Sequence, residues 1–158
     1  MGKEIERKFL VCDHSFVAMA SDSVEIRQGY LSVKAEATVR VRIFGCKAFI
    51  TVKGRNEGMV RDEWEYEIPV ADAREMLECC CGSNVLEKVR YIVPCCGRVW
   101  EVDVFGGRLE GLVIAEVELP SADVHVELPA FAGREVTGDN RYYNSMLSLP
   151  CSAVPPVD

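Results

Sequence analysis

The sequence predicts an α+β chain, mainly antiparallel β, closed into an eight-stranded tunnel with a charged lumen and a few covering helices. Three observations predict it. Segment after segment alternates charged with apolar residues at the period of a β-strand. The polar parity is nearly all ionised, where a half-solvated sheet carries a mix of Thr, Ser, Gln and Lys. Clear helical periodicity is confined to short stretches, too little helix to cover one face of so large an open sheet.

The first strand shows the pattern in miniature. Glu4, Glu6 and Lys8 share one parity, with Ile5 and Phe9 on the other. A short helical or irregular connection is expected from Asp13 to Ser23. Val24 to Val33 reads as a strand bent at Gly29. Val39 to Phe44 places Arg40 and Arg42 opposite Val39 and Val41, with a turn at Gly45-Cys46. Ala48 to Lys53 follows and stops at Gly54. After a polar loop, Arg61 to Ile68 sets Glu63, Glu65 and Glu67 opposite Trp64, Tyr66 and Ile68, and Pro69 ends it.

Ala71 to Cys80 is expected to be helical. Asp72 and Glu75 favour its first turns, Ala73, Met76, Leu77 and Cys80 make an apolar stripe, and Gly82 terminates it. Leu86 to Val93 places Lys88 and Arg90 opposite Val89 and Tyr91. Arg98 to Phe105 places Glu101 and Asp103 opposite Trp100, Val102 and Val104, with Gly106-Gly107 as the following turn. Leu112 to Leu119 places Glu116 and Glu118 opposite Ala115 and Val117. Asp139-Asn140 is read as the cap of a final helix, Arg141 to Leu149. Residues 1–149 are expected to form one domain and 150–158 a loose tail.

Closure removes the sheet edges, and about eight strands leave a bore across which side chains meet. Its lining would be Glu4, Glu6, Glu63, Glu65, Glu67, Glu101, Asp103, Glu116 and Glu118, with Lys8, Arg40, Arg42, Lys53, Lys88 and Arg90. Arg forks and Lys point charges suit phosphate oxygens. The surplus carboxylates would repel such an anion unless a divalent cation such as Mg²⁺ stood between them. Acids, bases and metal in one cavity point to phosphoryl chemistry on a polyphosphate.

Composition bounds the alternatives. The chain has 158 residues, 49% apolar and 27% charged, with a net charge of −7, so general basicity offers nothing to nucleic acid. No apolar run approaches the ~20 residues of a spanning helix. An outer-membrane barrel shares the polar-in code but needs ~9–11-residue strands and a secretion signal, and the strands are read as shorter and the signal as missing. The eight cysteines, clustered as Cys79-Cys80-Cys81 and Cys95-Cys96, are read as reduced, small, mostly buried residues. A cytoplasmic protein is expected, with a small-molecule partner, no nucleic acid and no membrane; the oligomeric state is left open.

Glu4-Ile5-Glu6-Arg7-Lys8-Phe9-Leu10 resembles the ExExK signature of the CYTH superfamily, the triphosphate tunnel metalloenzymes. The likeness continues in order through Gln28 to Leu31, Arg40 with Arg42, Thr51 to Lys53, Glu65 to Pro69, Lys88 to Tyr91, Glu101 to Asp103 and Ala115 to Leu119. Gly133 to Thr137 and Asp139 to Asn144 resemble the C-terminal signature of its short bacterial members. The resemblance covers Lys3 to about Leu149. It implies an eight-stranded tunnel binding a triphosphate with Mg²⁺ or Mn²⁺, two ions in all.

By the same resemblance, Lys8, Arg40, Arg42, Lys53, Lys88 and Arg90 would bind phosphates. Glu4, Glu6, Glu116 and Glu118, with Glu101 and Asp103, would hold metal. Glu116, Glu118 and Lys8 are the expected catalytic residues, and Glu63, Glu65 and Glu67 line the tunnel with roles open. The expected activity is metal-dependent hydrolysis of a triphosphate, inorganic tripolyphosphate first. Class IV adenylate cyclisation, thiamine triphosphate hydrolysis and a non-enzymatic polyphosphate- or nucleotide-binding module are the alternatives.

Overall fold

Backbone pairing closes the sheet on itself. The structure, a computed structural model, describes residues 2–150 and 154–155. Strands β1 (Gly2–Val11), β2 (Asp22–Lys34), β3 (Ala37–Phe44), β4 (Lys47–Lys53), β5 (Val60–Ile68), β6 (Val85–Cys95), β7 (Arg98–Phe105) and β8 (Val113–Glu118) form an antiparallel barrel. The order around it is β5-β4-β3-β2-β6-β7-β8-β1, and β5 then pairs with β1. A ninth strand, β9 (Ala132–Glu135), adds to β1 beyond the point where β5 leaves it. Helices α1 (Phe16–Met19) and α2 (Val70–Cys79) pack on the outside of this barrel, and α3 (Asn144–Leu147) packs with the inward-facing residues at one end of it. No helix among the described residues is long and apolar enough to cross a membrane.

Residues directly opposite in a ladder share a face. The register therefore reads off the lumen: Lys8 opposite Glu116, Glu116 opposite Glu101, Arg90 opposite Asp103, Arg40 opposite Thr51, Thr51 opposite Glu65, and Glu4 opposite Arg61. The charged parity points inward, as expected.

The outer wall is apolar and covered in two places. Over β1, β7 and β8, Phe9, Trp100 and Val117 pack against Phe16 of α1 and Phe131 of the irregular run after β8. Trp100 and Phe131 meet edge to face with centroids 6.0 Å apart, a geometry that adds ~0.5–1.5 kcal/mol to area burial. Over β3 and β4, Val41 and Ala48 receive Ala73 and Leu77 of α2 together with Cys81.

Several sequence expectations change. Two strands outrun their expected lengths, with 13 residues in β2 and 11 in β6. Gly29 is not a bend. It is the seat of α2: a Cβ there would stand 2.7 Å from the Cys81 sulfur and 2.8 Å from Leu77 Cδ2. The irregularity in β2 comes one step later, between Tyr30 and Ser32. The stripe of α2 ends on Cys81 rather than Cys80, because the backbone N–H groups of both turn back to the Met76 carbonyl and rotate Cys81 inward. Of the described cysteines, Cys81 alone is buried; Cys12, Cys46, Cys79 and Cys80 are exposed.

The expected final helix is broken. A 3₁₀ turn at Asn140–Tyr142 is followed by α3, with Tyr143 in extended backbone between them. Nor is the bore charged throughout. Inward-facing Leu10, Leu86, Phe105 and Ile114 cluster with Leu109, Leu112, Val136, Tyr142 and Leu147, so apolar side chains and the C-terminal segment fill part of the barrel. The expected tail, 150–158, falls largely outside the described residues.

Candidate functional site

Inside the barrel are two connected chambers, sharing Glu4, Glu6, Arg40, Lys53 and Asn144 as walls. The larger, about 190 Å³, adds Arg42, Glu63, Glu65, Lys88, Arg90, Glu101, Glu116 and Glu118. The smaller, about 70 Å³, adds Lys8 and a set of hydroxyl and amide groups. Nearly every expected lining residue is thus brought together.

Two are placed differently. Asp103 sits behind the chamber wall, its side chain 1% exposed, bridging two cations. It accepts from Lys88 Nζ at 2.6 Å and, bidentate, from Arg90 Nε and Nη2 at 2.8 and 2.9 Å. Burial opposes its ionisation, but Arg90 and Lys88 outweigh that and hold the carboxyl well below its usual range. Glu67 stands at the rim of the barrel, 59% exposed, with Lys47 at 3.7 Å. It expands no chamber wall.

The carboxylates in the bore are held in different states. Burial, then Glu116 and Glu4, push Glu6 up to about 8. Burial would raise Glu116 as well, but Lys8, Arg90 and Lys88 bring it down to about 2. Lys8 Nζ lies 3.4 Å from a Glu116 oxygen and donates to the Tyr142 carbonyl at 3.2 Å. Glu4 is paired with Lys53 at 2.6 Å, and Glu63 stands 3.7 Å from the same ammonium. Glu101 pairs with Arg90.

The arginines are under-satisfied. Arg40 and Arg42 share one Glu65 oxygen, at 3.3 and 3.5 Å. The Nε groups of both are buried without a hydrogen-bond acceptor. Burial and the neighbouring Arg40 and Arg90 charges lower Arg42 to about 10. Buried guanidinium N–H groups left without an acceptor cost free energy.

Among the described residues no three His, Cys, Asp or Glu side chains already converge as a metal cluster. The chemistry of the donor set nevertheless fits a hard divalent cation. Glu4, Glu6, Glu116 and Glu118 line one chamber with oxygen ligands only, and the mutual repulsion that raises Glu6 is relieved by a cation between them.

Reasoning from charge alone missed several lining groups. Arg61 has the same parity as Glu63 and Glu65 and could have been found from it. Tyr30, Thr38 and Thr137 are uncharged, and Asn56, Tyr143 and Asn144 come from a loop and the C-terminal segment, where alternation says nothing. Asn144 accepts from Lys88 Nζ at 3.0 Å, and Tyr142 is both fully buried and, through its backbone carbonyl, an acceptor for Lys8.

Comparison with known proteins agrees with this geometry. An inorganic triphosphatase of Acetivibrio thermocellus is 50% identical over 147 residues, 93% of this chain and 94% of that one. An inorganic triphosphatase of Nitrosomonas europaea is 39% identical over 151 residues, 92% of this chain and 97% of that one. The crystal structure of an inorganic triphosphatase superposes with a TM-score of 0.66 at 33% identity, covering 99% of each chain. The family model described as the CYTH domain matches residues 2–148, and the chain belongs to that family.

Proposed function

We propose that this protein hydrolyses inorganic tripolyphosphate inside the barrel, with residues 1–149 acting as one unit in the cytoplasm. The observation that carries it is the convergence of Arg40, Arg42, Lys88 and Arg90 on one chamber that also holds a carboxylate cluster. Buried cations seeking oxygen acceptors, beside acids seeking a cation, match a metal–polyphosphate complex on both sides. The relatives named inorganic triphosphatases support the same substrate.

Mg²⁺ or Mn²⁺, as two ions held by Glu4, Glu6, Glu116 and Glu118, supplies charge neutralisation and a polarised water when bound. The chain does the rest. Arg40 and Arg42 fork the phosphate oxygens, while Lys8, Lys53, Lys88 and Arg90 supply the remaining positive charge. Asp103 positions Lys88 and Arg90 and is not itself a metal ligand in this reading; Glu101 steadies Arg90 from the chamber side. Glu116, held ionised near 2, is a poor proton acceptor at neutral pH, so its part would be to hold a cation together with Glu118, two residues further along the same face of β8. Glu63 and Glu65 hold Lys53 and the Arg40–Arg42 pair in their inward positions.

The test is a substrate panel with the purified full chain: tripolyphosphate, pyrophosphate, ATP and thiamine triphosphate, each with Mg²⁺, Mn²⁺ or chelator. The proposal predicts fastest orthophosphate release from tripolyphosphate and none with chelator. Cyclic AMP from ATP, preference for thiamine triphosphate, or tight binding without product in any reaction would overturn it.

A further inference from the structure

Arg61 is the one inward-facing cation among the described residues with no carboxylate within ion-pair distance. Lys8, Arg40, Arg42, Lys53, Lys88 and Arg90 all have such partners. Its position is fixed from two sides: Nε donates to the Gly54 carbonyl at 2.6 Å and Nη2 to Thr38 Oγ1 at 2.7 Å. Nη1 has no hydrogen-bond partner among the described residues. Arg61 lines the smaller chamber, and so does Tyr30, 5% exposed. The Tyr30 hydroxyl accepts from Gln28 Nε2 at 3.0 Å, which leaves its own proton free to donate.

The chamber's lining narrows the ligand: Arg61 Nη1 and the Tyr30 hydroxyl are two donors on one chamber wall, a set that suits the oxygens of a compact oxyanion. Glu4 and Glu6 also touch this chamber and would oppose an anion, but Lys53 pairs with Glu4 and Lys8 lines the chamber beside Glu6. The far wall is closed by the C-terminal segment, where the Tyr143 hydroxyl donates to the Asn56 side-chain carbonyl at 2.5 Å.

We propose that the smaller chamber is a separate orthophosphate site, in which Arg61 Nη1 and the Tyr30 hydroxyl hold a single phosphate next to the reacting chain. The inference rests on the triphosphatase reading for its physiological meaning. A cleaved phosphate entering from the shared wall at Arg40 and Lys53 would occupy it, and product would then compete with a further substrate for the bore.

The experiment titrates inorganic phosphate, first into metal-free full-length protein by calorimetry and then as an inhibitor of tripolyphosphate turnover. For Arg61→Gln the proposal expects phosphate binding weakened at least about tenfold, with the inhibition constant rising by the same factor and KM for tripolyphosphate by much less. Tyr30→Phe, which removes one hydroxyl, should weaken phosphate binding several-fold in the same direction and serves if Arg61→Gln fails to fold. Equal losses in phosphate binding and in tripolyphosphate KM would overturn the proposal by making Arg61 part of the substrate grip, and unchanged phosphate binding in both variants would overturn it outright. Calorimetric binding needs no turnover, so a wild type that binds phosphate yet leaves tripolyphosphate intact would refute the triphosphatase reading alone.

Discussion

Glu6 and Asp103 show how one lumen drives two carboxyls in opposite directions. Glu6 has the raised value, about 8 against 4.5 for a free glutamate, with burial the first cause. Its contribution to stability is therefore complete below pH 4.5 and lost as pH rises through about 8, because the fold binds the proton more tightly than the unfolded chain. Metal-free wild type should lose melting temperature across that window, and Glu6→Gln should flatten the profile; equal profiles would remove the repulsion argument. Asp103 behaves in reverse, ionised and clasped by Arg90 and Lys88. Asp103→Asn leaves two buried cations uncompensated, and losing one partner of such a network costs ~3–5 kcal/mol. Urea unfolding should show that loss, with KM for tripolyphosphate raised as Lys88 and Arg90 drift.

At the scale of elements, α2 is the longest helix among the described residues, and Gly29 is what lets it lie close. Gly29→Ala puts a methyl against the Cys81 sulfur and Leu77, an overpacking that costs ~1–3 kcal/mol. The midpoint of chemical unfolding should fall accordingly while phosphate release in native buffer persists. A variant as stable as wild type would mean that the helix rides free of β2. The C-terminal segment is the other consequential element. It is too short and broken to have been read as a helix correctly, yet Tyr142 and Asn144 engage Lys8 and Lys88 directly.

At the scale of the whole molecule, the barrel was legible because inward residues here are charged and period two is the strongest signal a strand can carry. Arg40 with Arg42, and Glu116 with Glu118, mark their face in the sequence itself. The same criterion explains what was missed. Tyr30, Thr38 and Thr51 share the inward parity but carry no charge, so alternation of ionised residues passed over them. Glu67 kept the parity of Glu63 and Glu65 yet lies past the end of the bore, because parity gives a face and not a depth. Strand β9 spans only Ala132–Glu135, too few residues to show a period. Cys80 and Cys81 exchanged roles because a helix end rotates its last residues out of the 3.6-residue phase. The apolar end of the bore was hidden for a related reason: Leu10, Leu86, Phe105 and Ile114 lie inward, where a charged lumen was expected.

The claim everything else depends on is that the bore's own acids and bases process a triphosphate together. Orthophosphate release from tripolyphosphate, measured side by side for wild type and Glu116→Gln with Mg²⁺ present, tests it most directly. The account predicts sustained release by the wild type and loss of turnover in Glu116→Gln, with tripolyphosphate still retained through Arg40 and Arg42. Release by Glu116→Gln at the wild-type rate would contradict it.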